Sequence, residues 1–127
     1  MSIFPLRGQI WQVSLDPITG HEIGKTRPAL VISNNINNEF ASTVSLIPIT
    51  TSTEKIYPFE VFVTGVGSGL KYDSKIKCNQ IRTVDKIRLL RLIGEINLET
   101  LNKVESAILI HFGISDTSDF KNLINDK

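Results

Sequence analysis

The apolar and polar positions divide the chain into short runs separated by polar stretches that carry glycine, proline or asparagine. Residues 10–15 alternate with period two and stop at Asp16-Pro17, which predicts a first strand with Trp11 in the core or at a rim. Residues 29–32, Ala-Leu-Val-Ile, form a continuous apolar run that suits a strand covered on both faces, and 44–49 read the same way. Between them, the Asn-rich stretch 34–38 reads as a loop. Residues 57–63 predict a strand with Pro58 at its beginning or edge; Phe59, Val61 and Val63 face one way, Glu60 and Phe62 the other. The glycine-rich stretch 65–70 lacks the Lys-Ser/Thr of a phosphate-binding loop and precedes no helical pattern, so it reads as a flexible turn. A strand at 74–79 follows, then 80–84 as its continuation or after a kink, a one-turn helical connection at 85–88 and a last apolar run at 89–96. Helical periodicity is convincing in one place: Asn97 as N-cap, with Leu98, Leu101, Val104, Ile108 and Phe112 on one stripe and Glu99, Lys103 and Glu105 opposite. His111 falls beside that stripe and reads as a packing residue.

Many short strands, one late helix and no strand-helix-strand rhythm predict a mainly β, barrel-like fold with a packed C-terminal helix. At 127 residues, without repeats or a dividing linker, the expectation is one domain over 1–114. A polar tail over 115–127 follows, either docked through Phe120, Leu123 and Ile124 or disordered. Cys78 is the only cysteine, which rules out a disulfide framework and a cysteine-pair metal site and points to the cytoplasm. No run approaches the roughly eighteen apolar residues of a membrane span, and residues 1–6 lack the apolar core of a signal peptide.

The net charge of +1 conceals a segregation. Lys71, Lys75, Lys77, Arg82, Lys86, Arg88 and Arg91 face only Asp73 and Asp85 in the same segment, whereas the balance turns acidic from Glu95 onward. A basic segment favours a polyanion, and strand alternation would equally leave half of these side chains on a solvated face.

The candidate chemistry lies at Arg27-Pro28. Proline holds its own φ and pushes Arg27 towards an extended conformation, so the guanidinium is presented at the mouth of a strand. If the runs at 29–32 and 44–49 pair antiparallel, Arg27 and Thr50 meet at one end of the sheet. A guanidinium beside a hydroxyl suits a phosphate or a phosphorane, and equally fits an exposed Arg that closes a strand beside a turn-forming Thr. His21 and Glu22, in the loop before Arg27, are acid or base candidates, with Glu22 preferred.

Several blocks in order carry a resemblance: Arg7-Gly8-Gln9-Ile10-Trp11, the run from Gly20-His21-Glu22 through Lys25-Thr26-Arg27-Pro28 to Ser33, Pro48-Ile49-Thr50-Thr51, Tyr57-Pro58-Phe59-Glu60-Val61, and Gln80-Ile81-Arg82-Thr83-Val84-Asp85-Lys86. Together they resemble the MazF/PemK toxins, sequence-selective endoribonucleases of bacterial toxin–antitoxin pairs, and the helix at 97–112 stands where that family has its terminal helix. The chain departs from the family pattern at Asn79, often acidic there, and at His21, commonly small and polar. The resemblance implies an SH3-like barrel of the CcdB/MazF type, a two-fold homodimer, single-stranded RNA bound along the dimer interface and an antitoxin peptide competing for that groove. It implies catalysis by Arg27 and Thr50, with Glu22 matching an acidic position implicated in activity. Bases would be held by the loops at 20–25, 51–56 and 65–71, with Lys25, Thr51, Ser52, Gln80 and Arg82 as RNA-binding candidates. RNA carries its own nucleophile, the 2′-hydroxyl, so cleavage to a 2′,3′-cyclic phosphate and a 5′-hydroxyl calls for no metal and no cofactor. Two rivals share the fold: a toxin that poisons DNA gyrase, which would lack the Arg-Pro/Thr pair, and an inert binding module.

Overall fold

The computed structural model describes residues 4–114, so the tail expected at 115–127 lies outside the described residues. Strands β1 (Gln9–Ser14), β2 (Thr26–Val31), β3 (Thr43–Thr50), β4 (Glu60–Val63), β5 (Ser74–Lys77), β6 (Arg82–Asp85) and β7 (Leu89–Glu95) build one sheet in the order β4-β5-β3-β2-β1-β7, with β6 also pairing β3. Every pairing is antiparallel. β5 and β6 share one edge of β3, divided by a 3-10 turn over Cys78–Gln80 that is the expected kink. Helix α2 (Leu98–Phe112) begins at Asn97, whose side chain accepts from Thr100 N, and ends at Gly113 in the left-handed conformation.

The mainly β architecture with a late helix is as expected, but hydrogen bonds do not close the sheet: β4 and β7 are its ends. Those ends approach through glycine. A Cβ on Gly94 of β7 would lie 2.0 Å from Ser68 O, and one on Gly69 would lie 2.3 Å from Ile93 O. The stretch 65–70 is therefore a packed closure with Ser68 and Leu70 buried, not the flexible turn that its composition suggests.

Two further expectations are corrected. Residues 34–38 do not form a loop; Asn35–Phe40 is a short helix, α1, because Asn34 caps it by accepting from Asn37 N at 2.8 Å. Asn38 is fully buried and bridges Ser33 Oγ at 2.5 Å and Ser33 O at 2.8 Å, so asparagine here satisfies main chain and not solvent. The fourth strand starts only at Glu60, after a turn in which Glu60 N donates to Tyr57 O at 2.8 Å.

The core forms two clusters. Ile10, Leu30, Ile47, Ile49, Ile76, Val104 and Ala107 belong to one, with α2 laid against it; Val13, Leu15, Ala29, Val44, Leu46 and Val84 form the other. Trp11 packs on the second, its Nε1 donating to Gln9 Oε1 at 3.0 Å. The buried face of α2 is carried by Val104 and Ala107, while Leu98 and Phe112, expected on the apolar stripe, are exposed. Arg7 ties the chain start to the helix, donating from Nε to Ile32 O at 3.1 Å and pairing with Glu105 at 2.5 Å.

Candidate active site

β2 and β3 are in register at Ala29↔Pro48, Leu30↔Ile47 and Val31↔Leu46. Continuing that register past Ala29 and Pro48 sets Pro28 against Ile49 and Arg27 against Thr50. Pro28 and Pro48 lack N–H donors, so the β2–β3 ladder stops where this pair stands. β3 pairs onward with β5 instead, Thr50 opposite Lys75. The antiparallel pairing of the two runs expected from sequence is found, and the continued register places Arg27 and Thr50 towards the same end of β2 and β3.

Arg27 is half-buried, and its Nε donates to Gly24 O at 2.9 Å. That bond uses one nitrogen and leaves both terminal nitrogens without a partner among the described residues. Thr50 is half-buried, and its Oγ1 is a buried oxygen with no hydrogen bond among the described residues. Unpaired buried hydroxyls are uncommon and call for an explanation.

The loop that presents Arg27 is strapped from several sides. Leu15 N donates to Lys25 O at 2.8 Å and Lys25 N to Asp16 Oδ1 at 2.7 Å. Arg82 donates to Ile23 O at 3.4 Å, and Arg88 donates to Ser14 O at 3.2 Å and to Asp16 O. Gly24 has no room for a side chain, since a Cβ would lie 2.5 Å from both Asp16 Oδ1 and Ile18 Cγ2. Lys25 takes a positive φ of 65° and is exposed. Glu22 is exposed and accepts from Thr19 N at 2.5 Å through Oε1, leaving its other oxygen without a partner among the described residues; His21 is exposed on the same loop.

Thr51 and Ser52 are exposed in the loop that follows Thr50, and Gln80 is half-buried in the 3-10 turn. The basic segment is not a uniform cationic surface. Lys75, Arg82, Lys86 and Arg88 donate to the main-chain carbonyls of Lys55, Ile23, Glu39 and Ser14 respectively, so much of that charge braces loops.

Sequence reading missed the brace of the loop after Thr50. Glu60, read from sequence only as facing away from Phe59, Val61 and Val63, is buried with Lys75 Nζ at 3.0 Å from Oε1 and Lys77 Nζ at 3.3 Å from Oε2. Oε1 also accepts from Tyr57 N at 3.0 Å, and Lys75 Nζ donates to Lys55 O at 2.9 Å. Burial raises the Glu60 pKa, but the Tyr57 N–H and the two lysines together outweigh it and hold the carboxyl below its ordinary value. Nothing in local alternation marks this cluster, because its members meet across β4–β5 at Glu60↔Lys77 and Phe62↔Lys75.

Residues 6–112 match the model of the PemK-like, MazF-like toxins of type II toxin–antitoxin systems. The chain belongs to the PemK/MazF toxin family. Among its relatives, endoribonuclease MazF9 of Mycobacterium tuberculosis is 37% identical over 113 residues, covering 85% of this chain and 96% of the relative. Endoribonuclease EndoA of Bacillus subtilis is 37% identical over 111 residues, covering 87% and 96%. The fold superposes on the crystal structure of MazF from Deinococcus radiodurans with a TM-score of 0.78 at 25% identity, covering 89% of this chain and 100% of that one. It also superposes on a mycobacterial endoribonuclease in complex with its cognate antitoxin, with a TM-score of 0.73 at 28% identity and coverage of 88% and 98%. Membership agrees with the ordered blocks read from the sequence.

Proposed function

We propose that this chain is a cytoplasmic endoribonuclease toxin that cleaves single-stranded RNA without a metal, works as a homodimer and is held in check by an antitoxin lying in its RNA groove. The observation that carries the reading is the placement of Arg27 and Thr50 just beyond the last β2–β3 pair, Ala29↔Pro48, with the terminal nitrogens of Arg27 and the buried hydroxyl of Thr50 lacking partners among the described residues. The curated relatives named endoribonucleases and the neighbour solved with its antitoxin support the activity and the partner. Exposed Leu90 and Leu92 on the edge strand β7, with Phe40 and Ile87, offer apolar surface for a second copy. Among the described residues no helix is long and apolar enough to cross a membrane.

In the reaction the RNA 2′-oxygen attacks the adjacent phosphorus, the bond to the 5′-oxygen breaks, and a 2′,3′-cyclic phosphate and a 5′-hydroxyl result. The attacking hydroxyl surrenders a proton and the leaving oxygen gains one. Charge builds on the non-bridging oxygens, where a guanidinium held through Nε can donate with both terminal nitrogens. Thr50 adds a hydroxyl donor. Glu22, with a carboxylate oxygen unused, is the base candidate on this chain, and His21 is not required. Lys25, Thr51, Ser52, Gln80 and Arg82 contact the RNA, Arg82 chiefly by holding the loop that carries Arg27.

Incubation of wild type and Arg27→Ala with a long unstructured RNA in EDTA, followed by mapping of the new ends, tests this. Discrete fragments with 5′-hydroxyl ends from wild type, formed at least ~10²-fold more slowly by the variant, are expected. Intact RNA after incubation with folded wild type would sink the reading.

A further inference from the structure

The loop after Thr50 ends in an aromatic arrangement that the proposed chemistry does not use. Tyr57 is 41% exposed, and its ring lies parallel to that of Phe59, with centroids 5.4 Å apart and an interplanar angle of 1°. Lys55 Nζ stands 4.8 Å over the Tyr57 ring and Lys75 Nζ 5.9 Å from its centroid. An exposed tyrosine on a mobile loop would be ordinary surface. Here the main chain leading into the ring is fixed at two points: Glu60 Oε1 accepts from Tyr57 N, and Lys75 Nζ donates to Lys55 O. Both anchors belong to one buried ion pair, Glu60 with Lys75. Lys75 is also the strand partner of Thr50, so the ring is separated from the proposed cleavage site by little more than one strand spacing and one lysine side chain.

A partly exposed flat ring, stacked on Phe59 and attended by the ammonium of an exposed lysine that a base can displace towards its phosphate, matches what an unpaired nucleobase needs: a π face and a cation for the attached phosphate. We propose that Tyr57, backed by Phe59 and accompanied by Lys55, is a base-stacking subsite for one nucleotide flanking the scissile phosphate, and that the Glu60–Lys75 pair positions it. This rests on the reading of the chain as an endoribonuclease. The subsite is tolerant of base identity, because every base offers a π face; it fixes where the strand runs beyond Thr50 and adds affinity.

The test uses an RNA oligonucleotide containing one site that wild type cuts, synthesised with an abasic nucleotide at each position in turn, and compares wild type, Tyr57→Leu and Tyr57→Trp. For wild type, one abasic position near the scissile phosphate should raise KM roughly five- to hundredfold with kcat little changed. Tyr57→Leu should raise KM on the intact RNA by a similar factor and lose nothing more at that abasic position. Tyr57→Trp should restore the wild-type pattern, which a merely structural role would not give. A wild-type KM for Tyr57→Leu on intact RNA, or an equal further loss at every abasic position, overturns the subsite while leaving the nuclease reading in place. RNA left uncut by wild type overturns both.

Discussion

Arg27 and Thr50 carry opposite relations between stability and activity, and that contrast can be measured. Arg27 spends Nε on Gly24 O, and its terminal nitrogens have no partner among the described residues. Lysine has a single nitrogen and cannot both hold that carbonyl and fork onto a phosphate, so Arg27→Lys should cut RNA about 10²-fold more slowly with little change in melting temperature. Thr50 Oγ1 is buried without a partner among the described residues, which costs the folded state free energy. Thr50→Val removes that oxygen while keeping the shape, and should leave the chain as stable or up to about 1 kcal/mol more stable in urea unfolding, with cleavage slowed by about 10²-fold. A destabilised Thr50→Val would show that the hydroxyl is paired after all. The antiparallel pairing of β2 with β3 was legible in the sequence because Pro28 and two apolar runs set the strands. Glu60 was not legible, since alternation assigns a face but cannot say that Lys75 and Lys77 wait on the neighbouring strand.

At the scale of elements, the loop between β1 and β2 is held by three arginines, of which Arg27 and Arg82 also belong to the proposed RNA site. Arg82 reaches Ile23 O, Arg88 reaches Ser14 O, and Arg27 itself reaches Gly24 O. Removal of Arg82 should free the loop without dismantling the core, because the Arg82 side chain is half-buried and its strand partner Leu46 stays in place. Arg82→Ala is expected to speed hydrogen exchange at Lys25 N–H and to lower kcat/KM, with the urea midpoint nearly unchanged. Unchanged exchange at Lys25 would leave Arg82 as an RNA contact and nothing more. The element pattern itself was readable for the strands and for α2, where periodicity is strong, and unreadable for α1. There Asn34 and Asn38 look like turn formers, yet one caps a helix and the other is buried against Ser33.

For the whole molecule, the sheet is open by hydrogen bonding and its corner at β4 and β5 is held by charge and by close glycine contacts. A mainly β chain with a late helix could be read from the hydrophobic pattern, but the approach of Ser68 to Gly94 joins opposite ends of the strand order and leaves no local trace. The charge at that corner makes stability depend on pH in a defined direction. Glu60 has its pKa lowered in the folded chain, so its contribution is complete above the ordinary glutamate pKa of about 4.3 and is lost as the pH falls through its folded value. Glu60→Gln leaves Lys75 buried without its carboxylate and should cost about 3 kcal/mol at pH 7. As the solution is acidified towards pH 3 the wild type surrenders the same interaction, so the gap between the two urea midpoints should narrow. A gap that stays constant from pH 7 to pH 3 would mean that Glu60 binds its proton equally in folded and unfolded chains, and that the brace beneath Tyr57 is not electrostatic.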